Sequence, residues 1–199
     1  MSPLIKFHWD AEKLTNLAQL GDDRIRGRVI SRATKAGGRA AGVVSSKLVR
    51  QRFMKVKAGE LKRHIDLRHY SKGTESYSNI VVDPSAKWPL ARWQSGKINP
   101  KKPPKGGAKF RMIKGGGRFT VPGAFLASTK KAGSGRMLMW KRKGADRFPR
   151  RHIYTTAPMR YLGRREVSVR VMDRGFEQMS KEFDRYSKYV LSGGRGGIR

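Results

Sequence analysis

The sequence predicts an α+β fold: N-terminal basic helices, a small antiparallel β-sheet with long basic loops, and a C-terminal amphipathic helix packed on it. Three observations carry that expectation. Apolar and small residues recur every three or four positions up to Arg52 and again after Glu166. Between Ile65 and Arg165 the period shortens to two, with turn residues between the runs. The 199 residues are 37% hydrophobic, which allows one modest core under basic loops.

The helical part covers residues 1–64. Asp10 suits the cap of a short helix carrying Leu14, Leu17 and Leu20, and Gly21 ends it. Asp22 and Asp23 favour a new start. Ile25, Val29, Ala33, Ala36, Ala40 and Val43 then mark one face, with Leu48 slightly out of step. This seam is small and interrupted by Gly37, Gly38 and Gly42, so a neighbouring element can approach closely. Its other faces carry Arg24, Arg28, Arg32, Lys35, Arg39, Lys47, Arg50 and Arg52. A short amphipathic stretch from Val56 to Ile65 places Leu61 and Ile65 four apart.

Residues 65–165 form the expected β body. Ile65, Leu67 and His69 alternate with charged residues. Apolar runs at Ser78–Asp83 and Trp88–Trp93 read as strands, with turns at Lys72-Gly73 and Asp83-Pro84. From about 95 to 117, Pro100, Pro103 and Pro104 stand among lysines and are followed by glycines. That composition predicts a long mobile basic arm. Strand patterns return at Arg118–Ala127, Arg136–Arg142 and His152–Thr155. The last element, 166–191, carries Met172, Phe176, Met179, Phe183, Tyr186 and Val190 in a heptad-like seam suited to core packing or subunit contact. Residues 192–199 read as a disordered Gly-Arg tail, and the whole as one structural domain.

Charge dominates the functional reading. Lys and Arg number 46 against 14 Asp and Glu, a formal net charge of +32. Such a chain repels itself until a polyanion neutralises it. Nucleic acid is the commonest one, because Lys and Arg release its condensed counterions. An anionic membrane surface or an acidic protein are the alternatives. The chain has no cysteine, which excludes disulfides and thiolate sites. No apolar run is long enough to span a membrane, and the first residues lack the pattern of a signal peptide.

An enzyme is not expected. His8, His64, His69 and His152 form no metal-binding spacing. Between Asp83 and Glu166 the sole acid is Asp146, too few carboxylates for a metal-dependent nuclease. Gly115-Gly116-Gly117-Arg118 lacks the Lys-Ser/Thr ending of a nucleotide-binding loop and reads as a turn between strands. No catalytic residue, metal ligand or cofactor is assigned. The candidate DNA-binding residues are Lys97, Lys101, Lys102, Lys105, Lys109, Arg111, Lys114, Arg118, Lys130, Lys131, Arg136, Lys141, Arg142, Lys143, Arg147, Arg150 and Arg151. They lie in loops and along strands, a pattern for tracking a phosphate backbone without reading bases. Trp93, Phe110, Phe119, Phe125, Trp140, Phe148 and Tyr154 are interleaved with them, either as core residues or as stacking platforms.

Residues 119–162 carry a recognisable pattern. Phe119-Thr-Val-Pro-Gly-Ala-Phe-Leu-Ala127 precedes Arg136-Met-Leu-Met-Trp-Lys-Arg-Lys-Gly144, Arg147-Phe-Pro-Arg150 and Thr155-Thr-Ala-Pro-Met159. This resembles the minor tail protein Z family, the tail completion proteins of lambda-like tailed phages. Arg24–Arg52 is similar to that family's basic Ala-rich helix, and Lys57–Arg63 to its short second helix. The resemblance spans residues 22–190. Arg150-Arg151 and Thr156-Ala157-Pro158 depart from the family's Pro-Ile and Gly-Pro-Ser segments.

The resemblance implies a virion protein in the head-proximal neck of the tail, assembled in the host cytoplasm. It implies a role in head–tail joining and in positioning the DNA end. The implied partners are double-stranded DNA held without sequence preference, tail terminator and head–tail connector proteins, and further copies in a ring, with a hexamer favoured by tail symmetry. The composition also fits a free nucleic-acid-binding protein associated with ribosomes or the nucleoid.

Overall fold

A computed structural model describes residues 22–72, 75–83, 88–96, 98–99, 106–128, 137–144, 150–155 and 158–192. The fold is α+β. Its elements are α1 (Asp23–Arg52), α2 (Ala58–Leu61), β1 (Ile65–Lys72), β2 (Glu75–Val82), β3 (Trp88–Pro89), β4 (Ala108–Phe110), β5 (Phe119–Val121), β6 (Ala124–Ser128), β7 (Met137–Arg142), β8 (Arg150–His152), β9 (Tyr154–Thr155) and α3 (Arg165–Leu191). Among the described residues the strands form four small antiparallel sheets: β1-β2, β3-β9, β4-β5 and β6-β7-β8. Among the described residues no helix is long and apolar enough to cross a membrane. The expected first helix with Asp10, Leu14, Leu17 and Leu20, and the Gly-Arg tail after Ser192, lie outside the described residues.

The chain gathers into two compact units. The first takes residues up to Leu48, then Ala58–Asp83 and Tyr161 onward; the second takes Val49–Lys57 and Pro84–Arg160.

In the first unit, Asp22 caps α1. Its Oδ1 accepts the amide of Arg24 at 2.8 Å, and its carbonyl accepts the amides of Ile25 and Arg26. Asp23 sits in the first turn, where the helix dipole favours an acid, and pairs with Arg26 at 3.2 Å.

The buried line along α1 departs from the expected seam. It runs Val29, Ala33, Gly37, Ala41, Ser45 and Val49, whereas Val43 is 67% exposed and Ala36 and Ala40 are only half-buried. Steps of four advance the line about 40° each time, so burial winds around the helix instead of following one straight side. Apolar Val29, Ala33, Ala41 and Val49 supply most of this line, and small size admits Gly37 and Ser45 to it. A Cβ on Gly37 would lie 2.7 Å from the carbonyl oxygen of Gly175 and 2.9 Å from Cβ of Met179. A Cβ on Gly38 would lie 2.7 Å from Cβ of Ser78. The glycines admit α3 on one side and β2 on the other.

The same correction applies to α3. Its buried line is Val167, Val171, Gly175, Met179, Phe183 and Ser187, again in steps of four. Met179 and Phe183 belong to it, but Met172, Phe176, Tyr186 and Val190 are half-buried flanks. The heptad reading followed apolar residues and passed over Gly175 and Ser187. Matched rows of four-residue spacing are the ridges of the commonest helix-packing class. On the solvent side, Glu177 receives hydrogen bonds from Lys181 at 2.7 Å and from Arg174. Those two bonds, Lys181 first, hold its carboxyl down at about 2.

Hairpin β1-β2 completes this unit. Its register sets Ile65, Leu67 and His69 opposite Val82, Ile80 and Ser78 on the inner face. Tyr70 stacks on Tyr77 on the outer face, with ring centroids 4.9 Å apart. The alternation read in β1 is therefore correct, and β2 begins three residues earlier than its apolar run. His69 links elements: Ser31 Oγ and Ser78 Oγ each lie 3.0 Å from its ring nitrogens. Ser78 Oγ donates onward to the carbonyl of Thr34. That spends the hydroxyl hydrogen of Ser78, so Nδ1 of His69 is the donor to Ser78, and Nε2 faces Ser31.

In the second unit, a core of Leu90, Ala108, Phe110, Ala124 and Met139 is flanked by Ala91, Ile98, Val121, Leu126 and Ile153. Two expectations are corrected here. Trp88–Trp93 is a strand for only two residues, then a 3-10 turn over Leu90–Trp93. That turn buries both Leu90 and Trp93, and the indole N–H of Trp93 donates to the carbonyl of Met54 at 2.9 Å. The basic arm is not irregular throughout. From Ala108 it is strand, with Ala108 and Phe110 fully buried, and Phe53 bridges Ile113. Lysines and glycines around this segment mask an alternation that lasts only three residues. Its earlier part, at 97 and 100–105, lies outside the described residues.

Candidate nucleic-acid interface

Charge divides sharply between the units. The second unit carries 24 Lys or Arg and one acid, Asp146, while the rest of the chain carries 22 and 13. Ion pairs Arg26–Asp23, His64–Asp83, Arg68–Asp66, Arg174 and Lys181 with Glu177, and Arg185–Glu182 lie within the first unit. Internal neutralisation is thus available to one unit and scarcely to the other.

Of the candidate cations, Lys97, Lys101, Lys102, Lys105, Lys130, Lys131, Arg136 and Arg147 lie outside the described residues. Lys109 is exposed on β4 opposite Thr120. Lys114 and Arg118 are exposed on the connection from β4 to β5. Arg111 is half-buried, and its Nε donates to the carbonyl of Gly116 at 3.1 Å, which ties it to its own turn. In that turn Gly115 has φ +71° and the amide of Gly116 donates to Ile113. The glycine run is therefore a turn between strands, with one amide already spent inside it.

The remaining five converge. The register of β7 on β8 places Lys141 directly opposite Arg151 and Arg142 directly opposite Arg150, with Lys143 exposed just beyond. Successive strand residues point to opposite faces. One like-charged pair therefore stands on each face of the same sheet end. Directly opposed side chains have Cβ atoms about 5 Å apart, and like charges there are destabilising.

Alternation also sorts the aromatics. Trp93 and Phe110 are core residues, and Phe119 is 40% exposed beside Phe110, at 5.5 Å between ring centroids. Phe148 lies outside the described residues. In the three-stranded sheet, Ala124, Leu126 and Met139 face the core. Phe125, Trp140 and His152 form one cross-strand row on the opposite face, joined there by Arg142 and Arg150. The guanidinium of Arg150 lies 4.9 Å over the ring of Trp140, and that of Arg142 lies 6.0 Å over Phe125. Trp140 meets His152 edge-on at 3.5 Å, and His152 is near-parallel to Tyr154 at 5.9 Å. His152 is not among the cations and aromatics that the sequence assigns to the site. The alternation Arg150, His152, Tyr154 is the signal that would have included it.

Among the described residues no group of three or more His, Asp or Glu stands close enough to hold a metal ion. The arrangement offers guanidinium forks for phosphate oxygens and rings for flat ligands. No family model, curated protein or solved structure matches this chain.

Proposed function

We propose that this chain is a structural virion protein of a tailed phage, a tail completion or neck protein. In this reading it sits at the head-proximal end of the tail, supports head–tail joining and positions the DNA end by sequence-independent phosphate contacts. The observation that carries the DNA contact is the register opposing Lys141 to Arg151 and Arg142 to Arg150. Opposed cations repel until an anion bridges them, and a duplex presents a phosphate charge about every 1.7 Å of its axis. The near absence of acids from this unit leaves that role to a partner. The neck position is supported by the resemblance of residues 22–190 to the tail completion family. A ring, with a hexamer favoured, multiplies the clamp around a channel and brings it to the terminator and connector proteins.

Two measurements test the reading. The purified protein is expected to bind duplexes of unrelated sequence equally, with log K falling linearly against log salt. Binding that ignores salt and DNA, and persists toward an acidic protein, would overturn the DNA contact. Imaging of particles carrying a labelled copy is expected to show density at the neck. Label confined to the distal tail tip would overturn the placement.

A further inference from the structure

The outer face of β6-β7-β8 is built for more than phosphate, and we infer that it takes single-stranded nucleic acid by stacking unpaired bases on its ring row. The inference rests on the reading that nucleic acid matches the charge of this unit. The row runs from the Arg150 guanidinium to the Trp140 indole, then to His152 and Tyr154. Its open end is Tyr154, on β9 just past the end of β8 and 46% exposed. Its members are held in place. The indole N–H of Trp140 donates to the carbonyl of Ala127 at 3.3 Å, and Nδ1 of His152 lies 3.3 Å from the Tyr154 hydroxyl. Rings fixed before binding lose little freedom on it.

Charge selects the occupant. Arg142 and Arg150 are exposed on the face that carries the rings, and Arg151 and Lys143 are exposed at the same sheet end. A base therefore stacks while its own phosphates meet guanidinium groups. An identical copy of this face would bring arginine against arginine. Bases inside a duplex are already stacked and cannot reach the rings, so the ligand is an unpaired stretch or end.

The full-length protein is titrated with three labelled strands, each roughly twelve nucleotides long, within the usual site size for such surfaces. They are oligothymidylate, oligouridylate and an abasic strand of equal charge. Both base-bearing strands are expected to bind about tenfold tighter than the abasic one, the worth of one good stack. The tighter of the two identifies the natural strand. Tyr154→Ala is expected to lose most of that margin and Tyr154→Phe to keep it. Equal binding of all three strands overturns the stacking while leaving the phosphate contact intact. No binding of any strand overturns both. The abasic comparison needs no variant, so a poorly folding Tyr154→Ala does not blunt the test.

Discussion

The two units solve the problem of a +32 chain in different ways. The first spreads 13 acids among 22 cations and pairs several of them, as Arg174 and Lys181 do with Glu177 on a helix surface. Its helices meet through glycine and alanine, a packing that depends on shape. The second unit keeps one acid among 24 cations and sets like charges opposite each other at the end of a sheet. Self-repulsion is thus partly relieved inside one unit and scarcely in the other. Charge count alone spreads the proposed nucleic-acid contact over the whole chain, whereas charge placement concentrates that proposal on one part of it.

The largest expected effect breaks the comparison on the side of charge. Replacing Lys141, Arg142, Arg150 and Arg151 with Gln removes both opposed pairs. Each lost phosphate contact lowers the salt slope by about 0.9, so the slope falls by about three to four and affinity for random duplexes drops ~100- to 1,000-fold. The same number of substitutions in the first unit, at the exposed Arg28, Arg39, Lys47 and Lys62, is expected to cost under about tenfold, through the long-range field alone. Equal losses in the two variants would erase the distinction between the units. The second-unit variant should also melt higher at low salt, since it no longer opposes like charges.

The next effect sharpens the comparison on the side of shape. Gly37→Ala improves helix propensity, yet its Cβ would meet the Gly175 carbonyl oxygen at 2.7 Å. Backbone cannot yield as a flexible side chain does, so the variant is expected to lose about 1–3 kcal/mol in denaturant unfolding. Gly42 lies on the same helix with nothing within 4 Å of an added Cβ. Gly42→Ala is expected to gain up to about 1 kcal/mol from propensity. A gain at both positions would mean that α1 and α3 do not approach as closely as their glycines permit.

Those glycines also show where reading the sequence stopped. The span of α1, its Asp22 cap, the inward alternation of β1 and the span of α3 all follow from period and capping chemistry, which act over a few neighbouring residues. The close approach at Gly37 is also legible from the small seam, but the buried lines as a whole are not, because Ser45, Gly175 and Ser187 are buried for their size and hydropathy ranks them as polar or neutral. The burial of Trp93 depends on the carbonyl of Met54, 39 positions away. The candidate interface shows the same divide. Its cations were legible one by one, but the opposition of Arg142 to Arg150 is a matter of strand register. Register is set by the pairing of whole strands, not by the residues that end up opposed.

The smallest effect concerns the first unit alone and depends on pH. Burial lowers the pKa of His69 below 6.5, and Lys35 lowers it further. Its neutral ring fits its partners, with Nδ1 donating to Ser78 and Nε2 accepting from Ser31. Well above pH 6.5 the ring is neutral in both folded and unfolded chains, and the group adds no pH dependence. As pH falls below 6.5 the unfolded chain takes up the proton first, so folding stability declines. The decline ends once the pH passes the lowered folded-state value. Thermal unfolding followed between pH 7.5 and 5 should show this loss in the wild type and a flatter profile in His69→Gln. Because the second unit has no part in this network, salt-dependent DNA binding at pH 7.5 should be the same for both proteins. A variant that lost DNA affinity with its pH dependence would overturn this expectation.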